Sequence, residues 1–213
     1  LIIFDLDDTL IDTSGSVTPF KLQAVFEILM ERIPTRLEFQ EFLAFNEQCL
    51  RTRDTIEKFA RSKNIPEKAV FRAIAEMTSP LPTNFSIACT PNAKEILKSY
   101  RNQCPIALVT GGHPPFQREK MEKAGIEASI FSKIAIPEDS IKKPFYEGLM
   151  REFSETPADI WVCGDRVSMD LAPANELGFN TVHMRWGRGR KQNTEPWIDY
   201  SISDLNELRN IIP

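Results

Sequence analysis

No apolar run in the chain approaches the ~18 residues of a membrane-crossing helix, and no signal-like segment precedes the first apolar stretch. The chain opens without Met and already inside that stretch, so further residues are expected upstream. Cysteine is sparse. Cys49, Cys89, Cys104 and Cys163 form no C-x-x-C pair and lie in apolar surroundings, which disfavours a zinc site or a disulfide framework. Reduced, partly buried thiols and a cytoplasmic setting are the expectation. A net charge of -4 gives no general attraction to nucleic acid or to an anionic membrane. An anionic ligand would have to be held by a local site. What is present is an ordinary globular balance, 42% hydrophobic and 26% charged, over 213 residues. That length can bury one substantial core with a smaller satellite beside it.

Leu1-Ile2-Ile3-Phe4 is a continuous apolar run ending in Asp5, the pattern of a strand buried on both faces of a parallel sheet. Ile106 to Val109 and Ile160 to Cys163 repeat it, with weaker strands expected at Lys133 to Ile136, Thr181 to Met184 and Tyr200 to Ile202. Helical patterns fill the gaps. Thr90-Pro91 reads as an N-cap followed by the first helical residue, and Pro144 opens another helix. Gly125 and Gly178 read as helix stops. The alternation predicts an α/β fold with a Rossmann-like, doubly wound parallel sheet. One stretch breaks it. Leu22, Val25, Phe26, Leu29 and Ile33 keep a helical period, as do Phe39, Phe42 and Leu43, then Ile56, Phe59 and Ala60, then Val70, Phe71, Ile74 and Met77. About four helices and no strand imply an inserted helical domain over residues 16–85, with the sheet domain formed by 1–15 and 86–213.

Ligands in such sheets collect at the carboxyl ends of the strands. Four polar positions fall there: Asp5 with Asp7, Thr110, Lys143, and Asp165 with Asp170. Carboxylates crowded at a strand end repel one another unless a cation or proton is shared. Hard oxygen ligands suit magnesium. Asp5 can act as a carboxylate nucleophile, and Asp7 as an acid toward the leaving oxygen and a base toward water. A solvated acidic turn is the plainer alternative. Thr110-Gly111-Gly112 offers a hydroxyl and approachable backbone N–H groups for phosphoryl oxygens, although a Gly pair after a strand is more often a turn. Lys143 would neutralise the transferring phosphate, with Lys142 as its rival and a surface lysine as the bland reading. Asp165 would complete a metal shell. Asp170 reads as an N-cap, a water-mediated ligand or the orienting partner of Lys143.

In this order the motifs resemble the haloacid dehalogenase superfamily, in its phosphatase branch. The resemblance rests on Asp5-x-Asp7-x-Thr9-Leu10, Thr110, Lys143-Pro144, and Gly164-Asp165 with Asp170, and it runs through nearly the whole chain. It implies Asp5 as nucleophile, Asp7 as general acid/base, and Thr110, Gly111 and Lys143 as phosphate-binding groups. Magnesium would be held by Asp5, the Asp7 carbonyl, Asp165 and nearby Asp170, with Thr9 supporting the turn. The insertion would be the family's helical cap. Dehalogenases of the family lack a carboxylate at the Asp7 position, so Asp7 favours phosphate esters. The implied activity is magnesium-dependent hydrolysis of a small phosphorylated metabolite through an aspartyl-phosphate. A sugar-phosphate mutase, a dehalogenase and a non-catalytic phosphate-binding protein are the alternatives. No histidine is required, so His113 and His183 receive no role. Arg185, Arg188, Arg190 and Lys191 read as a solvated loop rather than a nucleic-acid patch, and Arg51 and Arg53 as helix-surface charges. The physiological substrate and the oligomeric state are not encoded legibly.

Overall fold

The structure, a computed structural model, describes residues 1–31, 38–49 and 51–212. It divides into two compact units, one of Leu1–Ser16 with Leu81–Pro213 and one of Val17–Pro80.

Six parallel strands form the sheet of the first unit: β1 (Ile2–Phe4), β2 (Ile106–Val109), β3 (Lys133–Ala135), β4 (Trp161–Gly164), β5 (Asn180–Met184) and β6 (Tyr200–Ile202). Their spatial order is β3-β2-β1-β4-β5-β6, with Ile3 registered against Ala107 on one side and Val162 on the other. This is the Rossmann-type order, and its direction reverses beside β1. Strands β1 and β2 are buried throughout, which is why their sequences are unbroken apolar runs rather than alternations. Edge strand β3 is partly exposed, and its Lys133 pairs with Glu152 at 3.0 Å.

Side chains from Leu1, Ile3, Val109, Leu149, Val162 and Phe179 build one core of this unit. Its helices follow local signals. The helix Pro114–Ala124 begins with Pro and ends at Gly125, whose φ of 64° is the left-handed cap conformation a Cβ would disfavour. The helix Lys143–Phe153 carries Pro144 in its first turn. Thr90 does not cap a helix as its sequence suggests. The helix Ala93–Tyr100 starts from Asn92, and Thr90 donates its hydroxyl to the Thr9 carbonyl at 2.6 Å. A long-range hydrogen bond to the turn after β1 has taken the side chain that local capping would have used.

Four helices among the described residues make the second unit: Val17–Met30, Phe39–Gln48, Thr52–Ser62 and Glu67–Glu76. Leu22, Val25, Leu29, Phe42, Ile56, Phe59 and Ala73 are buried together at helical spacings. The rings of Phe42 and Phe45 meet Phe59 edge-on at 5.0 and 5.4 Å. Ile33, expected on the first apolar stripe, lies outside the described residues. No helix among the described residues is long and apolar enough to cross a membrane.

Candidate active site

Asp5 follows directly on β1, and its backbone N–H still bonds the Cys163 carbonyl of β4 at 2.9 Å. The carboxylate therefore projects where the strand order reverses. Asp165 stands at the same level just past β4. Beyond it the chain makes a tight π-helical turn, Val167–Leu171, which returns Asp170 toward the strand ends. Asp5, Asp165 and Asp170 are buried, and one oxygen from each lies within 4.8 Å of the others. Gly164 permits this packing, because a Cβ there would sit 2.5 Å from Asp170 Cβ.

Lys142 closes the group. Its Nζ donates to Asp5 Oδ1 and to Asp170 Oδ1, each at 2.6 Å, and it is 3% exposed. Lys143, the lysine chosen from sequence, points away and pairs with Glu176 at 2.7 Å on the surface. The reason is geometric. Successive residues at a helix start diverge by about 100°, so only one lysine of the pair can face the strand ends. Asp170 accordingly orients Lys142, not Lys143. Nor does Asp170 act as the N-cap of the turn. It sits inside the turn and accepts the Arg166 backbone N–H at 2.9 Å on Oδ2.

The Asp7 carboxylate lies apart from the other three acids. Lys120 Nζ donates to both of its oxygens, at 2.5 and 2.6 Å, Gln117 Nε2 donates to Oδ2 at 3.0 Å, and the Thr13 hydroxyl donates to Oδ1. Thr110 follows β2, and its buried hydroxyl oxygen accepts from Gln117 Nε2 at 2.6 Å, while the Gly111 carbonyl accepts from the same nitrogen at 2.9 Å. Asp8 is a further buried acid, with a left-handed backbone (φ 55°). The Ser14 N–H and hydroxyl both donate to it, at 2.8 and 2.5 Å, and hold the turn closed. The Thr9 hydroxyl, expected to support this turn, has no hydrogen-bond partner among the described residues. The support comes from Asp8, Ser14 and Thr90.

Burial and neighbouring charge set the ionisation of the group. Burial, reinforced by Asp170 and Asp7, pushes Asp5 up to about 6 against the pull of Lys142. Burial with Asp170 and Asp5 nearby raises Asp165 well above the usual carboxylate range. Burial alone would lower Lys142, but Asp170 and Asp5 outweigh it and hold the ammonium charged. Asp7 goes the other way: burial opposes, yet Lys120, Thr13 and Gln117 hold its carboxyl down at about 2. Two of the three buried carboxylates, Asp5 and Asp170, share one ammonium, and Asp5 and Asp165 are pushed toward protonation. Such a donor set fits a divalent cation with hard-oxygen preference.

The sequence model of haloacid dehalogenase-like hydrolases matches residues 1–178. The chain belongs to that family. Among curated relatives, the glyceraldehyde 3-phosphate phosphatase of Methanocaldococcus jannaschii is 25% identical, over 99% of this chain and 96% of its own length. The N-acylneuraminate-9-phosphatase of Homo sapiens is 24% identical over 97% and 91%. Two solved structures share the fold: the HAD-hydrolase YfnB from Bacillus subtilis bound to magnesium (TM-score 0.71, 18% identity, 99% and 97% covered), and CbbY from Rhodobacter sphaeroides in complex with phosphate (TM-score 0.72, 18% identity, 97% and 95% covered). The structure also places Lys120, Gln117 and Asp8 at this edge, residues that sequence reading passed over. The only signal for Gln117 and Lys120 is their spacing of three on one helix, which is too common to single them out.

Proposed function

We propose that this hydrolase is a magnesium-dependent phosphatase that acts on a small phosphorylated metabolite through an aspartyl-phosphate on Asp5. The observation that carries the reading is the buried set of Asp5, Asp165 and Asp170 around Lys142, with Asp7 and Thr110 at the same sheet edge. Asp5, Asp165 and Asp170 would hold magnesium, joined by the Asp7 carbonyl as the family resemblance implies. When bound, the ion would supply positive charge against the phosphoryl oxygens and among the acids.

The protein's own groups then divide the work. The Thr110 hydroxyl and the Gly111 backbone would bind phosphoryl oxygens, and Lys142 would neutralise charge between Asp5 and the transferring group. A carboxylate oxygen of Asp5 attacks phosphorus in line as the ester P–O bond breaks. Asp7, which Lys120, Thr13 and Gln117 keep ionised in the free protein, would take up a proton as the anionic ester binds and give it to the departing alkoxide. Water then attacks phosphorus, Asp7 takes the proton back, and the Asp5–phosphorus bond breaks to release phosphate. Asp7 also separates this reading from a dehalogenase, since halide leaves without a proton. The helical unit Val17–Pro80 is proposed as the substrate-selecting cap.

A panel of phosphate esters with magnesium, including glyceraldehyde 3-phosphate and N-acylneuraminate 9-phosphate, tests the assignment through released phosphate. Asp5→Asn should abolish release while the circular dichroism spectrum stays native. Retained turnover would remove Asp5 as nucleophile.

A further inference from the structure

Lys120 and Gln117 lie one turn apart on the helix Pro114–Ala124, and both are buried, at 4% and 2% exposure. Buried cations occur rarely without a purpose-built partner. Lys120 spends its ammonium on both oxygens of one carboxylate, Asp7, while its Nζ also lies 5.4 Å from the centroid of the Phe116 ring. Gln117 turns a single nitrogen toward Asp7 Oδ2, Thr110 Oγ1 and the Gly111 carbonyl. The carboxylate and the carbonyl accept only, so the amide must present its NH2 there. Its consequence for Thr110 is directional. Because the hydroxyl oxygen accepts from Gln117, the Thr110 O–H is left to donate elsewhere, as a phosphoryl oxygen would require.

We propose that Lys120, assisted by Gln117, is the positioning group of the acid/base residue, fixing the Asp7 carboxylate in rotation and linking it to Thr110. The inference rests on the phosphatase reading above. Neither residue belongs to the set of acids, threonine and lysine from which that reading was built. A carboxylate gripped through both oxygens cannot swing about its Cβ–Cγ bond, and a proton donor misplaced by about 1 Å can lose roughly a hundredfold in rate. The alternative is an ion pair that only fastens this helix to the turn after β1.

Leaving-group dependence distinguishes the two. Nitrophenolate departs without a proton, whereas an alkoxide needs one. kcat/KM, which reports the phosphorylation step, should be measured on p-nitrophenyl phosphate and on the best alkyl phosphate of the panel. Lys120→Met should lower kcat/KM for the alkyl ester by about 10- to 100-fold and for the nitrophenyl ester far less. Lys120→Arg should recover part of the loss. In an Asp7→Asn background, Lys120→Met should cost nothing further on the alkyl ester. Equal losses on both esters, or full additivity with Asp7→Asn, would leave Lys120 as a fastening pair and overturn the proposal. If Lys120→Met does not fold, Gln117→Met carries the same comparison with the same deciding outcomes. Should Asp7→Asn itself leave alkyl ester hydrolysis intact, the acid/base reading fails, a result separable from failure of the Lys120 assignment alone.

Discussion

The two units bury charge on different scales. The helical unit holds one buried ammonium, Lys21, satisfied within the unit by Glu76 and Ser79. The rest of its interior is mainly apolar and aromatic, with Phe26, Phe42 and Phe59 in ring contact and the aliphatic residues of the other helices around them. The sheet unit has an equally apolar core under its strands, yet at their carboxyl ends it buries Asp5, Asp8, Asp165, Asp170, Lys120 and Lys142. Burying rings stabilises without conditions. Burying charges costs free energy unless every partner is in place. The helical unit is thus organised by packing, and the edge of the sheet unit by a chemistry that packing must support. Substitutions that act on one currency and not the other test that contrast.

The largest effect is expected at Lys142. Lys142→Met removes the one ammonium shared by Asp5 and Asp170 and leaves two carboxylates buried without it. Breaking a buried pair of this kind costs about 3–5 kcal/mol, and phosphate release should fall to background. Urea unfolding monitored beside activity would check both; a variant of native stability and turnover would refute the shared-cation picture. Next comes Phe59→Ala in the helical unit. Loss of a fully buried ring with two edge-on partners should cost roughly 3–5 kcal/mol. Because none of the acids is touched, magnesium affinity should be unchanged by calorimetry. A lowered affinity would mean that the two interiors are not independent in this way.

Magnesium itself offers a smaller and reversible perturbation. At about 100 times its dissociation constant the ion should stabilise the native chain by about 2.7 kcal/mol. The gain should appear as a raised thermal midpoint that EDTA reverses. Asp165→Asn removes one oxygen donor and one of the like charges. It should shrink the magnesium-induced shift while leaving the metal-free midpoint equal or higher. An undiminished shift would exclude Asp165 from the binding set.

The same contrast explains what could be read from sequence. Strands β1, β2 and β4 were legible because burial on both faces forces continuous apolar runs, and the helical insertion because its stripes keep a 3.6-residue period. Asp5, Asp165 and Asp170 could be placed because strand ends predict where their side chains converge. What escaped depends on contacts distant in sequence. Thr90 looks like a cap until Thr9 is seen beside it, 81 residues away in the chain. Lys120 and Gln117 look like an ordinary helix surface until Asp7 is found at 2.5–3.0 Å. Local pattern encodes direction and burial, whereas a side chain's partner is set by tertiary packing.

Lys143 gives the finest separation, since one residue of helical register decides which lysine enters the acid cluster. Its side chain is 40% exposed, and its ammonium pairs with a Glu176 that is more exposed still. Water screens such a pair, and measured values for exposed ion pairs are about 0–1 kcal/mol. Lys143→Met should therefore change stability by no more than about 0.5 kcal/mol and leave phosphate release unchanged, while the adjacent Lys142→Met abolishes it. Had the helix begun one residue later, the two results would exchange. Loss of turnover in Lys143→Met with Lys142→Met active would show that the chain uses that other register in solution, and would reassign the charge beside Asp5.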